Sequence, residues 1–172
     1  MSEPAPEFSR LVQIVQLGAE PFRQRIEATA EEREKLSRRF DLLSLDRLIA
    51  EVVLRRQSGG VVLLEAEFQA EFEQCCAVTL DPVRGGVSDH FSLAYGPPTA
   101  EEQEIALSSH EPAFEPLVGD TIDIGEAVAQ ELSLALPVFP RHPDAVIDRV
   151  PQAGRWDGPL AALAYRRKDV GC

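Results

Sequence analysis

An α+β fold, an antiparallel sheet meander packed with two or three helices and an extended C-terminal tail, is what the 172-residue sequence predicts. Three observations carry it. Residues 62–73 alternate, with Val62, Leu64, Ala66, Phe68, Ala70 and Phe72 on one parity and Glu65, Glu67, Gln69, Glu71 and Glu73 on the other. Period two over that length means a strand with one dry and one wet face. Ile124, Val128, Leu132 and Leu136 recur every four residues, the spacing of a helix with one apolar side. Strand signals come in runs and do not alternate with helices, which disfavours a βαβ arrangement.

The elements follow in order. Phe8 to Leu17 alternates and predicts a first strand, and Phe22 to Ala28 predicts a second after the turn at Gly18. Thr29 stands three residues before Glu32, a capping box that opens a helix from about Ala30 to Phe40. Lys35, Arg38 and Arg39 fall near its C-terminal end, where the helix dipole favours cations, and Leu36 and Phe40 would face the core. Leu45 to Arg55 alternates again, with Leu48, Ala50, Val52 and Leu54 as the apolar set. Ser58-Gly59-Gly60 reads as the hairpin turn into the strand at 62–73. Cys76 to Leu80 is expected to continue that strand or start a paired segment. Asp81-Pro82 breaks the pattern, Arg84-Gly85-Gly86 reads as a turn, and Val87 to Tyr95 as another strand.

Residues 96–116 are proline-bearing, acidic and aperiodic, which predicts a mobile loop. Thr121 to Ile124 reads as a short extended stretch, and a helix follows from Asp123 to Leu136, capped by Asp123 or Asp120 and ended by Pro137 and Pro140. One α+β domain is expected over 1–140. A proline-rich, partly disordered tail is expected over 141–172, with a short helical turn at Pro159 to Tyr165 ahead of Arg166, Arg167 and Lys168.

Hydrophobic residues make up 44% and charged residues 27%, so a chain of this length can bury a core without disulfides or a structural metal. No run approaches the ~18 apolar residues of a membrane helix. The acidic, proline-bearing N-terminus lacks the basic and apolar regions of a signal peptide. Cys75 and Cys76 are adjacent and Cys172 is terminal, an odd set that is no disulfide framework; the expected compartment is the reducing cytoplasm.

The net charge of −12 argues against a whole-surface nucleic-acid binder. It is concentrated in residues 85–140, which contain no Lys or Arg and carry Asp89, Glu101, Glu102, Glu104, Glu111, Glu115, Asp120, Asp123, Glu126 and Glu131. A solvated acidic face and a docking surface for a basic partner both account for this pattern.

Signatures of chemistry are sparse. There is no GxGxxG or GxxxxGK[ST] to cradle phosphates, no GxSxG and no HExxH. His90, His110 and His142 lack flanking metal ligands. A CxxC hook starting at Cys76 would need a cysteine where Thr79 stands, and adjacent cysteines on a strand point to opposite sides. Glu65, Glu67 and Glu71 share one wet strand face, which explains their spacing without acid–base catalysis. No catalytic residue, metal or cofactor is expected.

Three ordered blocks resemble the YceD family, the large ribosomal RNA subunit accumulation proteins. The first runs from Leu64 through Cys75-Cys76 to Val83. The second runs from Gly119 to Pro137, followed by Val138-Phe139-Pro140, and is the most specific. The third is Gly158 to Ala164. The resemblance implies a non-enzymatic role in ribosome assembly, supporting accumulation of large-subunit ribosomal RNA, and encoding beside a small basic ribosomal protein of the large subunit. Many members carry a CxxC pair in the first block; here Cys76 matches its first cysteine and Thr79 replaces the second. The implied partner is a basic large-subunit ribosomal protein or ribosomal RNA, with no membrane and no small-molecule substrate. Candidate partner-binding residues are Asp120, Asp123, Glu126 and Glu131, with Arg166, Arg167 and Lys168 in the tail. A small acidic adaptor or chaperone unrelated to ribosomes, and an enzyme with a carboxylate site, are the competing readings.

Overall fold

The alternation of the middle of the chain becomes a pair of long antiparallel strands, and the other elements assemble on them. The computed structural model describes residues 6–97 and 113–146. Its elements are β1 (Leu11–Gln13), β2 (Phe22–Glu27), α1 (Ala30–Arg39), β3 (Ser44–Arg56), β4 (Val62–Cys75), β5 (Pro82–Gly96), β6 (Ala113–Pro116), β7 (Thr121–Asp123) and α2 (Ile124–Ala135). The chain divides into two units, Met1–His142 and Pro143–Cys172, and these strands and helices belong to the first.

One sheet has the order β2-β3-β4-β5-β6, and β1 pairs with β7 in a second, two-stranded sheet. Every pairing is antiparallel except β5 with β6, which is parallel. The fold is therefore α+β, a meander closed at one edge by a short parallel strand. Register fixes which side is dry. Leu48, Ala50, Val52 and Leu54 of β3 and the even-numbered residues from Val62 to Phe72 of β4 are buried, while Arg47, Glu51, Arg55, Glu67, Gln69 and Glu71 are exposed. A slip of one residue would exchange the two sets.

Both helices pack on the dry face, α1 against β3 and α2 against β4 and β5. Leu36 of α1 and Ile124, Val128 and Leu132 of α2 are wholly inaccessible to solvent. Each such side chain contributes about 1.5–3 kcal/mol relative to leaving it exposed. Phe40, at the end of α1, packs half-buried against the same cluster.

Four expectations change. The first strand is only β1: Ile14–Gln16 turns into a 3₁₀ segment, where the Ile14 amide reaches the Asp120 carbonyl at 2.9 Å. Cys76–Leu80 is a turn, not a strand, because the Leu80 amide folds back to the Cys76 carbonyl at 3.0 Å and the Cys76 amide to the Asp81 carbonyl at 2.8 Å. With the reversal made there, Arg84-Gly85-Gly86 is not a turn but lies inside β5. A Cβ on Gly85 would stand 2.6 Å from the Phe72 ring, so the missing side chain is what lets that ring lie against the strand. The aperiodic stretch 96–116 ends in strand β6, four residues too short to show a period; residues 98–112 lie outside the described part. So do the expected turn at Pro159 to Tyr165 and the cluster Arg166, Arg167 and Lys168.

Candidate partner-binding surface

The start of α2 is organised by Asp123. Its carboxylate accepts the Gly125 and Glu126 amides at 3.1 and 3.2 Å, the N-cap contacts that satisfy otherwise orphaned helix N–H groups. It also accepts the Arg10 amide at 2.7 Å and the Ser9 hydroxyl at 2.5 Å. One side chain thus caps the helix and ties down the N-terminal segment. Gly125 follows from the same crossing: a Cβ there would meet the Phe8 carbonyl oxygen at 2.6 Å.

Glu126, in the first turn of α2, makes a two-pronged contact with the Arg39 guanidinium at 2.8 and 3.0 Å. Arg39 also donates to Glu7 at 2.8 Å, and its hydrogen bond to Glu126 heads the interactions that raise its pKa. The end of α1 is thereby fastened to the start of α2. Arg10 plays the matching role at the other end of α1, donating to both oxygens of Glu32 at 2.7 and 3.0 Å. Glu32 closes the predicted capping box through the Thr29 amide at 2.8 Å. The Arg10 hydrogen bond is the main reason its carboxyl falls to about 2.

Glu131 stands in different surroundings. It is half-buried on α2 and makes no hydrogen bond or ion pair among the described residues. Burial raises its pKa, and Asp89 of β5 and Glu115 of β6 raise it further. Tyr95 of β5 lies beside the same group; burial, with help from Glu115, Asp123 and Glu131, pushes its hydroxyl up to about 12. Asp120, exposed before β7, likewise has no partner for its carboxylate among the described residues.

The four acids singled out from the sequence therefore separate. Asp123 and Glu126 face the fold's own donors; Asp120 and Glu131 keep uncompensated charge. Asp89 and Glu115 join Glu131, and neither stood out in the sequence beyond the cation-free stretch. For Asp89 a signal was present: it shares parity with Val87, Phe91, Leu93 and Tyr95 and is the one charge in that set, opposite Phe68 in register. A charge at an inward-facing parity marks the place where the covering layer stops.

Cys76 is buried and Cys75 exposed. The Cys76 sulfur accepts three backbone N–H groups, from His142 at 3.3 Å and from Val78 and Thr79 at 3.4 Å each. The His142 amide is the largest cause, Thr79 the next, of a thiol lowered to about 6. Its turn also fastens the segment after α2, through the Ala77 amide to the Pro140 carbonyl at 2.8 Å. Among the described residues no three His, Cys, Asp or Glu side chains are grouped to hold a metal ion.

Residues 64–159 match the family model described as large ribosomal RNA subunit accumulation protein YceD. The chain belongs to the YceD family. The match begins within β4 and includes β5, β6, β7 and α2, hence both the Asp89–Glu115–Glu131 group and the Cys76 turn. No curated protein and no solved structure is matched. Family membership ties the chain to a ribosome-related role, and the family is described by accumulation of an RNA, not by a reaction. No described helix is long and apolar enough to cross a membrane.

Proposed function

We propose that this YceD-family protein is a non-catalytic ribosome-biogenesis factor that supports accumulation of large-subunit ribosomal RNA by holding a basic large-subunit ribosomal protein. The observation carrying this reading is the group Glu131, Asp89 and Glu115, three carboxylates brought together from α2, β5 and β6 with no Lys or Arg ion pair among the described residues and only the His90 imidazole, 3.8 Å from Asp89, nearby. Keeping like charges close and partly desolvated costs folding free energy. A Lys- or Arg-bearing segment would relieve that cost on docking, so such a partner gains more here than at dispersed surface acids. Asp120 extends the same uncompensated charge. The tail cations Arg166, Arg167 and Lys168 are the residues proposed to approach ribosomal RNA, adding a small salt-dependent term.

Titrating the purified chain with individual basic large-subunit ribosomal proteins tests this. One of them binds, the affinity falls steeply with salt, and Glu131→Lys with Asp89→Lys abolishes it while the fold persists. Absence of any salt-sensitive partner, or binding indifferent to these charges, sinks the reading. In cells, loss of the protein lowers the large-subunit peak in gradient profiles.

A further inference from the structure

The face of the large sheet turned away from both helices carries a second charge arrangement. Pairing sets its residues in rungs: Arg23 beside Val53 beside Glu65, and Arg25 beside Glu51 beside Glu67. Cations therefore lie on β2 and carboxylates on β4, two strand spacings or ~10 Å apart, with β3 between them. Arg23, Arg25, Glu51 and Glu67 are exposed and have no hydrogen bond or ion pair among the described residues. Glu65 takes Arg55 at 2.5 Å. A hollow of about 560 Å³ lies over the first rung, bordered by Arg23, Val53, Glu65 and His90. A second, of about 270 Å³, lies over the next, bordered by Arg25, Arg47, Ile49 and Glu67.

We propose that this face is an isologous interface for a second copy of the same chain, with the two-fold axis running along β3. Such an axis exchanges the β2 and β4 sides and leaves position along the strands unchanged. Arg25 of one copy then lies over Glu67 of the other, and Arg23 over Glu65, each contact occurring twice. Stacked sheets sit about 10 Å apart, a gap that an extended arginine and glutamate bridge together. The half-buried Val53 and Ile49 supply apolar contact near the axis. Glu51 also lies near it, facing Glu51 of the second copy with Arg25 from both copies on either side.

The mixed pattern selects the occupant. Phosphates would meet Glu51, Glu65 and Glu67, and a uniformly basic protein would meet Arg23 and Arg25; a surface with the same two lanes, turned over, pairs opposite charges in both lanes and sets like charges only along β3, where Glu51 and Arg55 face their own copies. With the axis on β3 the overlap is β2, β3 and β4, roughly 14 Å wide over the six residues of β2 and one strand wide over the rest of the 13 residues of β3, or about 400 Å² per copy, the size of a weak, transient contact. With charged lanes making most of it, the dimer is weak and salt-sensitive.

Sedimentation velocity on the full chain, over roughly 1–100 µM protein, reads the outcome. Dimers form at low salt and dissociate at high salt. Arg25→Glu weakens dimerisation by about tenfold or more, and adding Glu67→Arg to that variant restores it to within about threefold. A chain that stays monomeric at ~100 µM in low salt, an Arg25→Glu dimer of undiminished strength, or a double variant no better than the single would each overturn the proposal. Asp89, Glu115 and Glu131 are untouched by these changes, so loss of the dimer and loss of the basic partner are read separately.

Discussion

Replacing Glu32 with glutamine removes one charge and keeps an acceptor for the Thr29 amide, so it isolates the ion pair from the helix cap. In the folded chain the Glu32 carboxyl titrates at about 2 against an ordinary 4.5, and its side chain is only 19% exposed. A group held that far down contributes at most roughly 3 kcal/mol at neutral pH; allowing for its remaining contact with water, about 2–3 kcal/mol is expected. The sign follows from the lowered value. The contribution is fully present above pH 4.5 and fades as pH falls through 4.5 towards 2, with about half of it gone by roughly pH 3. Urea unfolding of wild type and Glu32→Gln at pH 7 and near pH 3 measures both numbers. The variant is less stable at pH 7 by that amount, and the gap shrinks on acidification. A gap below about 0.5 kcal/mol at pH 7, or one that does not change with pH, would show that Arg10 gains nothing specific from Glu32.

Leu132→Ala empties a position with no solvent access and lowers the unfolding free energy by about 2–5 kcal/mol, readable from chemical denaturation. Gly125→Ala drives a methyl onto the Phe8 carbonyl oxygen; its thermal unfolding midpoint falls by several degrees and the amides of residues 8–10 exchange faster, whereas Gly18→Ala, with open space around it, leaves both unchanged. In a Cys75→Ser, Cys172→Ser variant, thiolate absorbance of Cys76 rises with a midpoint near pH 6, and a midpoint near the ordinary value of about 8.5 would mean the three N–H groups do not hold the sulfur as an anion.

What the sequence shows best is what repeats along the chain. Alternation over Leu45 to Arg55 and over residues 62–73 predicts β3 and β4, and Thr29 with Glu32 places the start of α1. The short pieces are less legible for physical reasons. β6, four residues long, is too short for a period and lies hidden in the aperiodic stretch, and β1 is a three-residue part of the longer strand expected over Phe8 to Leu17; each exists only because a distant strand offers its edge. The Arg84-Gly85-Gly86 misreading came from treating glycine as a turn former. Here its value is the room left for Phe72, a fact of pairing and not of local preference. The candidate surface was half visible. The absence of Lys and Arg from 85–140 pointed to the right region, but which acids remain uncompensated depended on Arg10 and Arg39, more than eighty residues away along the chain.

That dependence explains why one helix carries two kinds of glutamate. Glu126 and Glu131 are five residues apart, about 140° around the axis of α2. The first points to Arg39 at the end of α1; the second lies among Asp89, Glu115 and Tyr95. Rotating the apolar stripe Ile124–Val128–Leu132 inward fixes both directions at once, so the same burial that holds the helix on the sheet presents Glu131 at the edge of β5. The two acids should therefore part company under mutation. Glu126→Gln breaks a half-buried ion pair and lowers stability by roughly 1–2 kcal/mol without changing affinity for a basic partner. Glu131→Gln removes a carboxylate that folding disfavours, leaves stability equal or slightly higher, and weakens that affinity. Stability by denaturation and binding by titration, measured on both variants, separate the two roles; equal effects of both substitutions on both quantities would mean that α2 presents a single acidic face.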